Sequence, residues 1–230
     1  MPAVKPRPSR QVTRRTRTRE AILEGANRVF RREGVDGVTV ADITSEADVA
    51  YGSFYNHFKT MDEVVAAVVE RTIKRIADTT GALLDKAQNE VELLPCIGAR
   101  VVMRVLAQEP TACWLLDRPH IFVAEFYRHA RPWMLAAERE AVASGRLTPA
   151  GGHDCWLRAY PWLLISEFSA ALASGDVVAH EARFARVSLR FLGVDDKLAP
   201  RLLQRSNVLV TASGLAPVRK RSKPRPRSIT

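Results

Sequence analysis

The sequence predicts an all-α fold, on three observations. Apolar residues recur at steps of three and four from about residue 20 to residue 204, the period of one helix face. No stretch alternates with period two, and no Asn-Gly hairpin signal occurs. Prolines and glycines (Pro110, Pro119, Gly145, Gly175, Gly193) cut the second half into helix-length pieces. Apolar residues make up 47% of the 230, which excludes a mainly disordered chain.

Residues 1–13 are rich in Pro, Arg and Lys and are expected to be disordered. A first helix should start between Arg14 and Thr18. Its residues Ile22, Ala26, Val29 and Phe30 share one face, and Gly34 should cap its end. Thr39 reads as the N-cap of a short helix with Asp42 at N3, and Val40, Ile43 and Ala47 inside. Asp48 falls at the next turn, and Asp tolerates a left-handed backbone. A helix over 49–58 should then bury Val49, Phe54 and Phe58 and turn Ala50, Tyr51, Ser53, Tyr55, Asn56 and His57 outward.

Thr60-Met61-Asp62-Glu63 is a capping box, with Thr60 capping and Glu63 reaching back; it opens a long helix to about Leu84. Further helices are expected over 91–108, 111–117, 120–144, 153–174 and 179–192, with a short one over 196–204. Pro132 and Pro161 should each kink a helix or mark a first turn. Residues 206–230 read as a disordered basic tail.

Charge is concentrated at the ends. The formal net charge is +10. Residues 1–19 hold seven Lys/Arg and no acid, and residues 213–230 hold six and no acid. Residues 20–212 are therefore left with a net −3. A near-neutral body with two basic arms points to a polyanionic partner, although such tails also serve solubility alone. Cys96, Cys113 and Cys155 show no C-x-x-C pair and read as reduced, buried thiols. No apolar leader and no membrane-length apolar run are evident, so a cytoplasmic, nucleoid-associated protein is expected, with no membrane partner. His153-Asp154-Cys155 precedes a helix, so those side chains diverge around its axis, and no H-E-x-x-H spacing occurs. Neither an enzyme, a metal nor a cofactor is expected.

The run from Ile22 through Ala26, Phe30, Gly34, Thr39, Ile43 and Asp48 to Tyr51-Gly52-Ser53-Phe54-Tyr55-Asn56-His57-Phe58 resembles the DNA-binding domain of TetR-family transcriptional regulators. The match covers roughly residues 14–70. It implies an N-terminal three-helix helix-turn-helix domain (14–60) and a C-terminal helical domain (61–205) that binds an effector and dimerises. By the same resemblance, Arg17, Thr39, Ala50, Tyr51, Gly52, Ser53, Tyr55, Asn56, His57 and Lys59 form the surface that meets double-stranded DNA. Four positions depart from the family pattern. Asp48 replaces a usual Gly, Ala50 a capping Ser, Ala41 a common Arg and Met61 a phosphate-gripping Lys. Lys59 and the N-terminal arginines are the expected substitutes.

All four tryptophans fall in 114–162, within a dense aromatic set. Core packing explains each alone. As a set, Trp114, Phe122, Phe126, Trp133, Met134 and Trp162 suit an apolar effector pocket. Leu164, Phe168, Ala171, Leu172, Leu189 and Leu192 are the expected homodimer interface, among small residues that allow close helix approach. The leading expectation is a homodimeric repressor released from a pseudo-palindromic operator by a small apolar effector. The alternatives are a dimeric DNA-binding regulator or architectural protein with no effector and, more distantly, a helical enzyme or lipid carrier with a vestigial head.

Overall fold

The computed structural model describes residues 10–88, 90–108, 116 and 118–217. Among these every regular element is helical. They are α1 (Arg10–Glu33), α2 (Val40–Glu46), α3 (Tyr51–Tyr55), α4 (Met61–Lys86) and α5 (Leu94–Gln108), followed by α6 (Pro119–Glu125), α7 (Arg131–Ala143), α8 (His153–Ser174), α9 (Val177–Phe191) and α10 (Ala199–Ala212). A 3₁₀ turn (Val91–Leu93) leads into α5, and a π-helical turn (Phe126–Ala130) joins α6 to α7. The expected helix over 111–117 lies almost wholly outside the described residues.

The chain forms two compact units that divide between Arg71 and Thr72, inside α4. The sequence reading placed that division at the helix start, between 60 and 61.

In the first unit Ile22, Ala26, Val29 and Phe30 of α1, Ile43 of α2 and Phe54 of α3 are buried. Helices as short as α2 and α3 cannot persist alone, and α1 is the floor that α2 packs on. The crossing depends on Gly25, buried on α1. A Cβ there would lie 2.8 Å from the Cβ of Ala47 and 3.0 Å from the carbonyl oxygen of Ile43. Arg28 closes the same contact, its Nε donating to Glu46 Oε1 at 2.6 Å, and Arg32 Nη1 donates to Glu46 Oε2 at 3.1 Å.

The second unit is built around α5, in which every residue from Leu94 to Leu106 except the half-buried Gly98 is buried. Helices α9 and α10 pack on α5, and α8 packs on α9. Two arginines of α5 are buried with it. Arg100 Nη1 donates to Glu181 Oε1 at 2.7 Å, and Arg104 donates to both oxygens, Nε to Oε2 at 2.8 Å and Nη2 to Oε1 at 2.6 Å. The remaining donors hold α10: Arg100 Nε reaches Ser206 Oγ at 3.1 Å, and Arg104 Nη2 reaches Asn207 Oδ1 at 2.6 Å. The loop after α7 is tied to the end of α9 through Thr148 N–H donating to Leu192 O at 2.8 Å. Gly193 makes that possible, with φ +69 and a position where a Cβ would collide with Thr148.

Several boundaries differ from expectation. Helix α1 begins at Arg10, so residues 10–13 are helical; residues 1–9 lie outside the described ones. Helix α3 is five residues, because Asp48 turns left-handed at φ 52 and leaves Val49 and Ala50 outside the helix. Val49 is half-buried rather than buried. Helix α10 continues to Ala212, so residues 206–212 are not a disordered tail; Ser206 and Val210 are fully buried, and Arg100 of α5, which bonds Ser206, is over a hundred residues away. Pro132 marks the first turn of α7, whereas Pro161 sits inside α8 and is buried. Cys96 is buried and its thiol is pushed up to about 12, chiefly by that burial; Cys155 is only half-buried. Cys113 lies outside the described residues.

Candidate functional site

The helix-turn-helix surface is assembled from local hydrogen bonds. Thr39 caps α2 as expected, its hydroxyl accepting from Asp42 N–H at 3.3 Å while its own N–H donates to Asp42 Oδ2 at 2.8 Å. Thr39 also holds the Asp42 carboxyl below its usual range. After the turn at Asp48, Ala50 stands extended at the N-cap of α3 and makes no side-chain cap bond, so the first amides of α3 face outward without a side-chain acceptor. Phe54 (0% exposed) and Phe58 (3%) anchor the segment from below.

What remains points outward. Tyr51 (55%) and Tyr55 (52%) are among the most exposed large hydrophobic side chains of the described residues. Their hydroxyls lie 3.3 Å apart and their rings meet edge to face at 5.7 Å, so they form one rigid unit. Gly52 has nothing within 4 Å of where a Cβ would stand, which leaves its backbone open to close approach. Thr39, Ala50, Asn56 and Lys59 are exposed, and Ser53 and His57 are half-buried. Burial first, then the charges of Arg15 and Arg19, push the His57 imidazole below its usual value. Arg19 also covers the ring of Phe58 at 5.1 Å. Arg17 is exposed on α1. At the start of α4, Thr60 Oγ1 accepts from Glu63 N–H at 3.2 Å, but Glu63 reaches back to Lys59 N–H at 2.7 Å rather than to that of Thr60. The amide of Lys59 is thereby fixed while its ammonium stays exposed. A sheet of exposed tyrosines, open backbone and cations is suited to a phosphate backbone and base edges.

The second candidate site is a small apolar cavity, partly open to solvent, in the second unit. Ile73, Ile76, Ala77 and Thr80 of α4 form one wall. Phe122, Phe126, Trp133 and Met134 are brought together here, joined by Tyr160 and Leu164 of α8. The π-helical turn supplies Phe126 and Ala130 to the lining. Trp162 does not reach the cavity; it points out of α8 at 49% exposure, because one step along a helix from Pro161 rotates the side chain by ~100°. Trp114 lies outside the described residues. Of the neighbouring polar groups, Arg118, His120, Glu125 and His129 are absent from the lining, and His129 instead borders an adjacent polar groove with Trp133, Lys74 and Asp78.

The expected interface residues are corrected in part. Leu164, Phe168, Ala171, Leu189 and Leu192 are all within 2% of complete burial in one chain, so they belong to the chain's own core and have no surface left for a partner. Leu172 is exposed at 37%. The outward stripe of α8 is Trp162, Ser166, Ser169 and Ala173, at i, i+4, i+7 and i+11. Val178 and Val187 on α9 are the other large exposed apolar side chains of these two helices.

Sequence reasoning missed Gly25, whose role depends on a residue 22 positions away, and the α4 wall of the cavity. It also left Tyr160 among core aromatics. Nothing in one sequence distinguishes a lining ring from a packed one.

A model of the family described as "Bacterial regulatory proteins, tetR family" matches residues 22–68. The chain is 34% identical over 73 residues to the HTH-type transcriptional repressor DhaR of Mycobacterium sp. (strain GP1), a match covering 32% of this chain and 37% of DhaR. It therefore spans little more than a third of that relative's length. It is 28% identical over 140 residues to the repressor KstR2 of Mycolicibacterium smegmatis, covering 57% of this chain and 68% of KstR2. These relatives are transcriptional regulators, not enzymes. Among solved structures, RolR in complex with resorcinol superposes with a TM-score of 0.70 at 22% identity, over 84% of this chain and 96% of RolR, which is a likeness of fold. With the helix-turn-helix geometry, the all-helical second unit and these matches in agreement, residues 22–68 form a DNA-binding domain of the TetR family of transcriptional regulators.

Proposed function

We propose that the protein is a homodimeric, ligand-responsive repressor that leaves a pseudo-palindromic operator when a small, largely apolar effector enters the cavity. The observation that carries this reading is the α4 wall. The residues that line the cavity, Ile73, Ile76 and Thr80, belong to the same continuous helix that starts at Met61, three residues after Phe58 ends the recognition segment. A ligand that requires α4 to shift thereby favours one setting of that helix over another. It need only bind the non-DNA state better, and a coupling of about 1–3 kcal/mol gives a roughly 5- to 150-fold change in operator affinity.

In this reading the first unit is the DNA-binding head. Tyr51, Ser53, Tyr55 and His57 face the major groove, and Thr39, Arg17 and Lys59 meet phosphates. The second unit is the effector-binding and dimerisation domain. The dimer forms on the outward faces of α8 and α9 around Trp162, Leu172, Val178 and Val187, whose exposure in one chain is what supports this placement. Two-fold symmetry then sets the two recognition helices one DNA turn apart, about 34 Å. Among the described residues no helix is long and apolar enough to cross a membrane, and the place of action proposed is the nucleoid in the cytoplasm.

The test is binding-site selection with the full chain, followed by fluorescence anisotropy on the selected duplex. A two-fold-symmetric site, and release by hydrophobic small molecules, are the expected results. An enriched site without symmetry refutes the dimeric reading. Operator affinity that stays constant across a hydrophobic ligand panel, when the same ligands bind the protein, refutes the release mechanism.

A further inference from the structure

Resting on the reading of the cavity as an effector site, we propose that it takes an uncharged, largely apolar molecule with a single hydrogen-bonding group, and that this group bonds the hydroxyl of Tyr160.

The lining sets the charge. No Lys, Arg, His, Asp or Glu belongs to it. An ionised ligand would lose its hydration with no counter-charge in return, which disfavours carboxylates and ammonium ions strongly. The lining also limits the polar points. Its side-chain polar groups are the hydroxyls of Thr80 and Tyr160 and the indole N–H of Trp133, whose nitrogen lies 4.0 Å from where a Cβ on Gly81, outside the lining, would stand. Thr80 Oγ1 already donates to Ile76 O at 2.7 Å, within α4. Among the described residues no hydrogen bond reaches the Tyr160 hydroxyl.

That hydroxyl is held in place, and space is kept open beside it. The ring of Tyr160, 5% exposed, stacks on Phe126 at 5.5 Å and 22°, meets Trp156 edge to face at 5.2 Å and touches Phe184 at 5.3 Å. Three ring contacts on three sides prevent the phenol from swinging out to water. Gly98 of α5 faces it: a Cβ there would stand 3.5 Å from the hydroxyl oxygen and 3.9 Å from the Thr80 methyl. Glycine in the middle of a helix is unfavourable by itself, and here the half-buried Gly98 leaves room next to the hydroxyl. Burial, with Glu138 nearby, holds the phenol above its ordinary range, so it remains a neutral O–H that both donates and accepts. The flat rings of Phe122, Phe126 and Trp133 complete a chamber that favours a planar guest.

The experiment uses the full-length protein without DNA and three probes of one shape: naphthalene, 2-naphthol and 2-naphthoate. Binding is followed by tryptophan fluorescence, since Trp133 lines the cavity. We expect 2-naphthol to bind about tenfold more tightly than naphthalene, the worth of one buried hydrogen bond. We expect 2-naphthoate to bind about a hundredfold more weakly than 2-naphthol or worse. In Tyr160→Phe, with a melting temperature close to that of the parent, the preference for naphthol over naphthalene should fall to near one while naphthalene binding is kept. Gly98→Val should weaken 2-naphthol more than naphthalene by filling the space beside the hydroxyl. Naphthoate binding as tight as naphthol, an unchanged preference in Tyr160→Phe, or no binding of any probe to its solubility limit would each overturn the inference. Tyr160-dependent binding of 2-naphthol that leaves operator affinity untouched would instead remove the release mechanism and leave this inference standing.

Discussion

Replacing Glu181 by Gln tests the clamp at the centre of the second unit. The Glu181 side chain is 1% exposed and faces two guanidiniums, Arg104 at 0% and Arg100 at 6%. It accepts three short, charge-assisted hydrogen bonds, at 2.6, 2.7 and 2.8 Å. Even with it present, two cations share one anion, and burial is the first cause that lowers the pKa of Arg100, ahead of the raising effect of Glu181. Glutamine keeps the shape but removes the charge and turns an amide donor toward guanidinium donors. Breaking one side of a buried ion pair costs about 3–5 kcal/mol. For a chain of this size each kcal/mol moves the midpoint by roughly 2–4 °C. The Tm of Glu181→Gln should therefore drop by roughly 6–20 °C in calorimetry.

The same structure predicts a counter-experiment. Removing all three charges together, as Arg100→Met, Arg104→Met and Glu181→Leu, should leave stability close to the parent, because the desolvation of the ions disappears with their attraction. Its polar partners Ser206, Asn207 and Thr211 lie on α10; of the three only Ser206 is buried, so Asn207 and Thr211 turn to water once released. A midpoint drop in Glu181→Gln of less than about 2 °C, or a triple variant as damaged as the single one, would refute the account of Glu181 as the neutralising centre.

Gly25→Ala should destabilise the helix-turn-helix unit by about 1–3 kcal/mol through overpacking against Ala47 and Ile43, seen as loss of operator binding on mild heating; unchanged thermal stability would exclude the close α1–α2 crossing. Glu138 is buried against His153 and Trp156, and that burial raises its pKa above the unfolded value near 4.5. A raised carboxyl stabilises the fold below the unfolded pKa and loses that contribution as pH rises through the folded pKa. Glu138→Gln should thus be more stable than the parent at pH 8 in urea titrations, with the gap closing below pH 4.5; a gap that widens in acid would reverse the assignment. Trp162→Glu puts a charge on the exposed stripe of α8. Burying it at a dimer contact costs about 2 kcal/mol or more, so sedimentation should show a dimer weakened by roughly thirtyfold, whereas an unchanged dimer would place the interface elsewhere.

The sequence by itself determined what depends on neighbours three or four residues away. Thr39 with Asp42, the left-handed Asp48, the missing cap at Ala50 and the apolar period of α1 are each a local bond or a local steric preference, legible without a fold. So were the helix ends set by Gly34, Gly145, Gly175 and Gly193. Tertiary structure decided what depends on distant partners. Leu164, Phe168 and Leu189 look the same in sequence whether they face the chain's own core or a second subunit, and only the packing of α8 on α9, and of α9 on α5, turned them inward. The first residues of the expected tail, 206–212, are part of a helix in which Arg100 and Arg104, a hundred residues earlier, hold Ser206 and Asn207. Tyr160 and Gly98, 62 positions apart, form one polar point only because α5 and α8 meet at that height. Hydrogen bonds within a turn are written in the order of residues; the sharing of buried space between helices is not.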